Sequence, residues 1–457
     1  MYKYVPSCRT RQPGVTMAGS EHQTLGLYMG QQHVANVHFE YTRIHRFEYT
    51  QQWQEQGFAL SPHLPLHVPA SEKAANLFLR NMFPEGNVFD KALQYLAISK
   101  ENHFAILGTL GLEAPGSLAL AANREQLQQP PQFQALDLNE LEKRLNDNDR
   151  NLAVWNGKVR LSAAGVQDKL NVMKHPTKGL GFADGAWAST HLLKFESSKA
   201  PGLVVNEWFT LQLAKAVGLP VNHAEKIQIG EHSALLVERF DRRFNHNHTK
   251  VQRRHTIDGC QLLNRDALQK YERPLAHGKH TRHIRDGVSF PELFATQQWA
   301  KQPAKHTLQL LDWTIFNLLA GNADCHAKNL SFFVDAHGIE LSPFYDLVNV
   351  LLFDFAHDWA MGLGDEFLDH GTLPGTYDLA CFAHACGLSG RLVSQRFAKQ
   401  IDALETSAKG VSTGLTNLKP FEEQHLQQYL QILETRLSHF KQASQGIQGA
   451  ISDLVLR

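Results

Sequence analysis

Two aspartates and an asparagine within one short stretch constrain the fold and the function of this chain more than any other feature. Asp324 stands five residues before Asn329, and Asp346 follows after an apolar, strand-like segment. A carboxylate can accept the proton of a hydroxyl group, and carboxylate and amide oxygens are the ligands that Mg²⁺ prefers. Because Asp and Asn are also common in turns and helix caps, this stretch alone leaves a purely structural interpretation open.

The same order of residues occurs in protein kinases, where a base Asp precedes a metal-binding Asn and, beyond a hairpin, a metal-binding Asp. Upstream, the sequence predicts a turn of small residues, a strand over 191–195, a helix over 206–219 and a strand over 234–240. A kinase N-lobe has this order. We therefore predict an α+β, protein-kinase-like fold of two lobes with an extra N-terminal α+β subdomain and an all-helical C-lobe.

The chain of 457 residues is long enough for two or three domains. Alternating residues over 25–49 predict strands, and the spacing over 73–81 and 87–97 predicts helices. The polar first residues predict a disordered leader, in which Met17 is a second candidate start. The predicted divisions are the leader (1–24), an N-terminal subdomain (25–130), a β-rich N-lobe with a phosphate loop (131–255) and a helical C-lobe with the catalytic loop (256–457).

Composition excludes several classes of protein. The formal net charge is zero, so a basic field over the whole protein is absent. No run approaches the eighteen apolar residues of a transmembrane helix, and the first residues lack the apolar stretch of a secretory signal. The five cysteines form no regular framework, which predicts reduced thiols in a cytoplasmic protein.

Two upstream segments are candidates for binding phosphate. Small residues over 162–169 would let backbone N–H groups approach a phosphate, and Lys169 would add charge, although an ordinary β-turn explains the segment equally well. Lys194 lies within an apolar strand, so its ammonium either reaches solvent or holds a phosphate. Glu207 either pairs with Lys194 or favours the start of its helix through the helix dipole, and the sequence leaves both open.

Two further segments are candidates for contacting a nucleotide. The backbone at Glu238 and Arg239 would hydrogen-bond adenine and Phe240 would pack on its face, unless the segment is simply a strand end with surface ion pairs. His326 stands two residues after the first aspartate, where a kinase catalytic loop has a lysine. Lys328 comes four residues after it, so the contact to the γ-phosphate stays open.

Taken together and in order, these segments resemble the HipA family of bacterial toxin kinases. The resemblance covers nearly all of the chain, and GNADCHAKN and ERFDRR are its most specific elements. The segments that carry it are RLSAAGVQDKL, THLLKF, NEWFTLQLAKAVGLPV, LLVERFDRR, IDGCQLL, GNADCHAKNLSFF and LSPFYDLVN, with LSPHLPL, FPEGN and LGLEAPGSLAL in the N-terminal part.

The resemblance implies transfer of the γ-phosphate of ATP to a serine or threonine of a protein, in known members an aminoacyl-tRNA synthetase. It implies that Asp324 is the catalytic base and that Asn329 and Asp346 bind Mg²⁺. Ser162 falls at the family's inhibitory autophosphorylation position, where a phosphate would repel ATP, although a turn hydroxyl is the alternative. The implied nucleotide contacts are Ala164, Gly165, Val166, Gln167, Asp168, Lys169, Lys194, Glu238, Arg239, Phe240, His326, Lys328 and Tyr345.

The resemblance also implies partners: a HipB-like helix-turn-helix antitoxin and, within that complex, a weak contact with operator DNA. A set of basic residues after the third N-lobe strand serves either that contact or a solvated hairpin face. These residues are Arg242, Arg243, Lys250, Arg253 and Arg254. The chain departs from the family pattern at Ile257, where members often have a second acid, so we do not transfer the identity of the protein substrate.

Two other functions remain as hypotheses. A small-molecule kinase of the aminoglycoside-phosphotransferase type uses the same three residues, but the additional N-terminal subdomain argues against it. A catalytically silent corepressor that binds an antitoxin and operator DNA needs none of this chemistry, and the presence of every chemical residue argues against it.

Overall fold

The computed structural model of the chain describes residues 22–147, 152–160, 169–197, 200–276, 280–281, 283–354, 358–364 and 372–455. Met17 and the predicted phosphate-loop residues Ser162 and 164–168 lie outside the described residues. The predicted leader ended at residue 24, whereas the first strand already begins at His22.

The N-terminal subdomain is a four-stranded antiparallel sheet, in the order β3-β2-β1-β4, with helices packed against it. The predicted strands over 25–49 and helices over 73–81 and 87–97 are confirmed. Gly30 has φ +60° in the turn between the first two strands, a conformation that glycine adopts without strain. The elements are β1 (His22–Met29), β2 (Gln32–Glu40), β3 (Arg43–Tyr49), β4 (Leu118–Ala121), α1 (Gln51–Gln56), α2 (Glu72–Arg80), α3 (Gly86–Leu96) and α4 (His103–Leu110).

A six-stranded sheet in the order β11-β12-β10-β8-β9-β5 forms the next layer. The strand predicted over 191–195 and the helix and strand that follow it are confirmed. The elements of this region are β5 (Gln132–Ala135), α5 (Leu138–Leu145), β6 (Val154–Trp155), β7 (Lys158–Val159), β8 (Lys169–His175), β9 (Gly179–Asp184), β10 (His191–Phe195), α6 (Leu203–Ala216), β11 (Ala224–Ile229) and β12 (His232–Glu238).

The rest of the chain is mainly helical, but it also carries a hairpin and a three-stranded sheet in the order β15-β16-β17. The expectation of an all-helical C-lobe is therefore wrong in this detail, because the apolar run of β16 finds a strand partner on each side. The elements are β13 (Arg242–Phe244), β14 (Val251–Arg253), β15 (Thr256–Asp258), α7 (Gly259–Leu262), α8 (Phe290–Ala295), α9 (Pro303–Ala320), β16 (Ser331–Asp335), β17 (Gly338–Leu341), α10 (Thr376–Ala385), α11 (Gly390–Thr413), α12 (Pro420–Ala443) and α13 (Ile447–Val455).

The hydrophobic core explains how the second sheet presents its polar residues. One continuous core runs from the N-terminal sheet through α6 and α9 to the C-terminal helices. A second apolar cluster contains Leu193 and Phe195 of β10 together with residues of α5. Since side chains alternate between the two faces of a strand, Lys194 points to the opposite face, towards α6. In the part of the chain that the structure describes, no helix is long and apolar enough to cross a membrane.

Two arginines of the β13–β14 hairpin dock the N-terminal subdomain onto the rest of the molecule. Arg253 donates to the carbonyl oxygens of Leu112, Ala114, Gly116 and Leu118 at 2.7–3.1 Å. The fully buried side chain of Arg242 pairs with Glu113 at 2.6 Å. The guanidinium groups of Arg242 and Arg253 are therefore engaged inside the protein. Neither is available for the suggested contact with DNA, and neither lies on a solvated hairpin face.

We expect Arg253→Ala to lower the free energy of unfolding by about 2 kcal/mol, because several carbonyl groups lose their donor. Chemical denaturation measures this change. Arg243→Ala is the matched control, since Arg243 is exposed on the same hairpin and its loss should change stability little. Equal stability of the two variants would contradict the docking role of Arg253.

Candidate active site

The loop that carries Asp324 begins where α9 ends. Gly321 follows the helix with φ +79°, and a Cβ there would lie 2.8 Å from Oδ1 of Asn349, so a glycine is required at this turn. Asn329 donates from Nδ2 to the backbone carbonyl of Asp324 at 2.9 Å, and the backbone N–H of His326 donates to the same carbonyl. The predicted base and the predicted metal ligand thus belong to one internally bonded loop.

Asp346 faces the second sheet from an uncommon backbone conformation. Its φ is +56°, in the left-handed region that non-glycine residues seldom occupy and that often marks a functional constraint. Its Oδ1 lies 2.7 Å from the ammonium of Lys194. Burial would raise the pKa of this carboxyl, but Lys194 and Lys169 hold the pKa at about 2. Asp346 is therefore an anion at neutral pH.

Lys194 binds two carboxylates at once. Its side chain is 7% exposed, and its Nζ lies 2.6 Å from Oε1 of Glu207. Because α6 begins at Leu203, Glu207 stands in the second turn, beyond the reach of the helix-end effect. Of the two interpretations of Glu207, the structure supports the ion pair with Lys194 and not an effect on the helix dipole. The ammonium of Lys194 does not reach solvent.

A second lysine stands beside the first. Lys169 is opposite Lys194 in the register of β8 and β10, so the two side chains project from the same face of the sheet. Burial lowers the pKa of Lys169 to about 8, against the opposing charge of Asp346. The side chains of both lysines therefore lie on the same face of the sheet, close to the carboxylates of Asp346 and Glu207.

Phe240 and Tyr345 form an aromatic pair at the end of β12. Their ring centroids are 5.5 Å apart with an interplanar angle of 27°. The Tyr345 hydroxyl donates to the carbonyl of Lys328 and lies 2.7 Å from Oγ of Ser331. Glu238 is exposed beside them. The structure thus brings the predicted nucleotide contacts Phe240 and Tyr345 together.

Two other predicted nucleotide contacts have different partners. The ammonium of Lys328 lies 2.6 Å from Oδ2 of Asp258 and 3.1 Å from two oxygens of Asn81. The guanidinium of Arg239 is buried on Asp241, at 2.7 and 3.0 Å. Both charges are already compensated inside the protein. A contact of Lys328 with the γ-phosphate stays a prediction, and so does the backbone contact of Arg239 with adenine, which does not involve the guanidinium.

Tyr271 is a site residue that the sequence did not reveal. Its hydroxyl donates to Oδ1 of Asp324 at 2.8 Å, and its ring packs edge-on against His326 at 5.0 Å. Burial lowers the pKa of His326, which favours a neutral imidazole. Tyr271 lies in an irregular segment far from Asp324 in sequence, and neither spacing nor periodicity marks it.

The residues present fit a nucleotide with a hard divalent cation. Nδ2 of Asn329 is engaged within the loop, which leaves the amide oxygen of that side chain for a metal, and Asp346 supplies a carboxylate. Across the described ranges, no cluster of three or more His, Cys, Asp or Glu side chains could hold a metal by itself. Mg²⁺ suits such a site because it usually takes one or two carboxylates and completes its shell with phosphates and water.

Comparison with known families defines the class of protein. The model of the HipA N-terminal domain matches residues 25–121, and the model of the HipA-like C-terminal domain matches residues 161–408. The chain belongs to the HipA family, as the sequence resemblance predicted.

Individual relatives extend this finding. The serine/threonine-protein kinase toxin HipA of Shewanella oneidensis is 37% identical over 380 residues, which cover 82% of this chain and 86% of that protein. The putative kinase Y4mE of Sinorhizobium fredii is 29% identical over 88% of this chain and 91% of that protein. A structure of the Shewanella oneidensis HipA, HipB and operator DNA complex matches with a TM-score of 0.84 and 34% identity, covering 93% of this chain and 99% of that one.

We expect Lys328→Met to lower the free energy of unfolding by about 3 kcal/mol, because Asp258 would lose its cationic partner in a poorly solvated site. Glu85, which lies 3.6 Å from the ammonium of Lys328, would keep its ion pair with Lys270 at 2.9 Å. Chemical denaturation checks this value, and adding Asp258→Asn to the variant should restore part of the loss. A variant of unchanged stability that binds ATP weakly would instead favour the phosphate contact.

Proposed function

We propose that the chain is an ATP- and Mg²⁺-dependent serine/threonine protein kinase and the toxin of a type II toxin–antitoxin system. The observation that supports it most strongly is the pairing of Lys194 with both Glu207 and Asp346. Protein kinases use such a Lys–Glu ion pair together with a metal-binding Asp to hold the phosphates of ATP.

In this proposal each group has one task. Lys194 and Lys169 hold the phosphates, and Asn329 with Asp346 binds Mg²⁺, which supplies charge neutralisation when bound. The oxygen of the acceptor hydroxyl forms a bond to the γ-phosphorus, and Asp324 accepts the proton of that hydroxyl. The bond between that phosphorus and the β–γ bridging oxygen breaks, and ADP leaves.

Phe240 and Tyr345 border the adenine in the same proposal. Glu238 and Arg239 contribute through the backbone there, since the Arg239 guanidinium is engaged elsewhere. His326, beside the base, faces the same nucleotide site. The contacts from residues 164–168, which lie outside the described residues, remain part of the proposal on the strength of the sequence resemblance.

A large cleft supports a protein as the acceptor. A cavity of about 1300 Å³ lies between the N-terminal subdomain and the helical region, and it is lined by Asn76, Phe89, Tyr271 and Trp359, among others. Sites for small molecules are usually about 300–1000 Å³. Because Tyr271 lines the cleft and also bonds to Asp324, an acceptor segment in the cleft would lie close to the base.

The partners and the regulation follow from the family. A HipB-like helix-turn-helix antitoxin and a weak contact with operator DNA are proposed because a relative of 34% identity has been solved with HipB and its operator. Inhibition by autophosphorylation at Ser162 and an aminoacyl-tRNA synthetase as target rest on the sequence resemblance alone.

We expect Asp324→Ala to abolish phosphate transfer while the fold and Mg-ATP binding persist, because the carboxylate is proposed to act on the acceptor hydroxyl and its hydrogen bond within the protein comes from the hydroxyl of Tyr271. Labelled ATP is added to a bacterial lysate with each variant, and phosphosites, including Ser162, are mapped by mass spectrometry. Asp402→Ala, at an exposed position of α11, is the control and should label like the wild type.

The outcomes of this experiment separate the hypotheses. Label on a lysate protein from the wild type and not from Asp324→Ala supports the kinase. Label on a purified small acceptor, with none on protein, supports a small-molecule kinase instead. Binding of antitoxin and operator without any turnover of ATP, by protein unphosphorylated at Ser162, would support the silent corepressor.

We expect affinity for Mg-ATP to weaken as the pH rises above 8. The pKa of Lys169 is about 8 in the free protein, and a bound phosphate raises it by favouring the charged form. The charge of Lys169 is therefore mostly present at pH 7 and is lost from the free protein as the pH rises through 8, so binding at higher pH requires uptake of a proton. Calorimetry between pH 7 and 9 measures this trend.

Lys169→Arg is the matched variant for this measurement. Because a guanidinium keeps its charge over the whole range, its affinity should vary less with pH than that of the wild type. Parallel pH profiles of the two proteins would contradict a phosphate contact by Lys169.

A further inference from the structure

Tyr271 stands at the reacting end of the site, although none of the expected kinase residues corresponds to it. Its hydroxyl donates to Oδ1 of Asp324 at 2.8 Å. Among the residues that the structure describes, none donates to the other carboxylate oxygen, Oδ2. The carboxylate is thus held by one oxygen while the second is left for another hydroxyl.

The backbone around Tyr271 is tied directly to the loop of the base. The N–H of Glu272 donates to the carbonyl of Ala360, and the N–H of Ala360 donates to the carbonyl of Ala323, each at 2.9 Å. The residue after Tyr271 and the residue before Asp324 are therefore linked through a single intermediate residue. This arrangement fixes the phenol relative to the carboxylate.

Contacts on the other side restrain the same segment. The N–H of Gly287 donates to the carbonyl of Glu272 at 3.1 Å, and a Cβ at Gly287 would lie 1.7 Å from the carbonyl oxygen of Tyr271. The carboxylate of Glu272 accepts from the N–H of Gly362 at 2.7 Å and from Arg285 at 2.8 Å. These bonds hold the backbone from which the Tyr271 side chain projects towards Asp324.

We propose that Tyr271 is a positioning residue for the catalytic base: its phenol holds Oδ1 of Asp324 so that Oδ2 faces the hydroxyl of the protein acceptor. This inference rests on the kinase activity proposed above. It adds a residue that lines the acceptor cleft and orients the base at the same time.

The chemistry of the phenol suits this role. Burial and the charge of Asp324 raise the pKa of Tyr271 far above the physiological range, so the hydroxyl keeps its proton and donates at every working pH. A rotated carboxylate would accept the proton of the acceptor less readily, because general base catalysis depends on hydrogen-bond geometry.

The test compares wild type, Tyr271→Phe, Tyr41→Phe and Asp324→Ala, using the lysate protein that the wild type labels as acceptor. Phe removes only the hydroxyl, and Tyr41, which is 64% exposed, provides the matched control. We expect Tyr271→Phe to lower kcat about tenfold, a part of the roughly 10²–10⁴-fold that a well-positioned general base contributes to the rate. KM for ATP, KM for the acceptor and the melting temperature should stay those of the wild type.

Each outcome decides the inference. A Tyr271→Phe variant that transfers phosphate as fast as the wild type overturns it, while the kinase proposal stands. A faster variant also overturns it, since the phenol would then obstruct the acceptor. A drop in kcat together with a lower melting temperature or a weaker ATP affinity indicates a merely structural role and overturns it as well. A wild type that transfers no phosphate contradicts both the proposed kinase activity and the proposed role of Tyr271.

Discussion

The ion pair of Lys194 with two carboxylates is the interaction on which the site depends. It joins β10, α6 and the segment of Asp346 at distances of 2.6 and 2.7 Å. Removing a charged partner from such a buried group leaves an uncompensated charge, which is more costly than the pair is stabilising. The three elements therefore hold one another in place, and the position of Asp346 relative to the sheet follows from this single ammonium group.

The N-terminal subdomain also contacts the loop that carries Asp324 and Asn329. Asn81 and Glu85 hold the ammonium of Lys328, which stands next to Asn329 in the catalytic loop. At a second contact, Arg253 donates to the carbonyl oxygens of Ala114 and Leu118, at the loop before β4. The subdomain thus stabilises the loop that carries the proposed base and a proposed metal ligand, and it forms one wall of the cleft beside Tyr271.

The sequence predicted those parts of the site that depend on local order. The spacing of Asp324, Asn329 and Asp346 lies within one stretch, and the alternation of β10 directs Lys194 away from the apolar cluster. The ion pair of Lys328 with Asp258 was not predicted, because a motif position does not tell which carboxylate 70 residues away a long side chain reaches.

The parts that sequence could not predict are contacts between segments far apart in the chain. Tyr271 and Asp324 are 53 residues apart, and Lys328 and Asn81 are 247 residues apart. The strand-like segment before Asp346 was visible in the sequence, but its sheet was not predicted, since β15 pairs with β16 across the whole of α9. Helices show their periodicity locally, whereas strand pairing is decided by the fold.

The pairing of Lys194 with Asp346 also bears on how a nucleotide and its metal would bind. In the free protein the ammonium neutralises Asp346, so a phosphate that attracts Lys194 would leave this carboxylate without its cation. In the proposed function, Mg²⁺ on Asp346 would replace the lost charge. Phosphate and metal would then each favour the arrangement that the other requires, and their binding would be mutually reinforcing. Glu207 would keep Lys194 in place during this exchange, because it holds the ammonium from the side of α6.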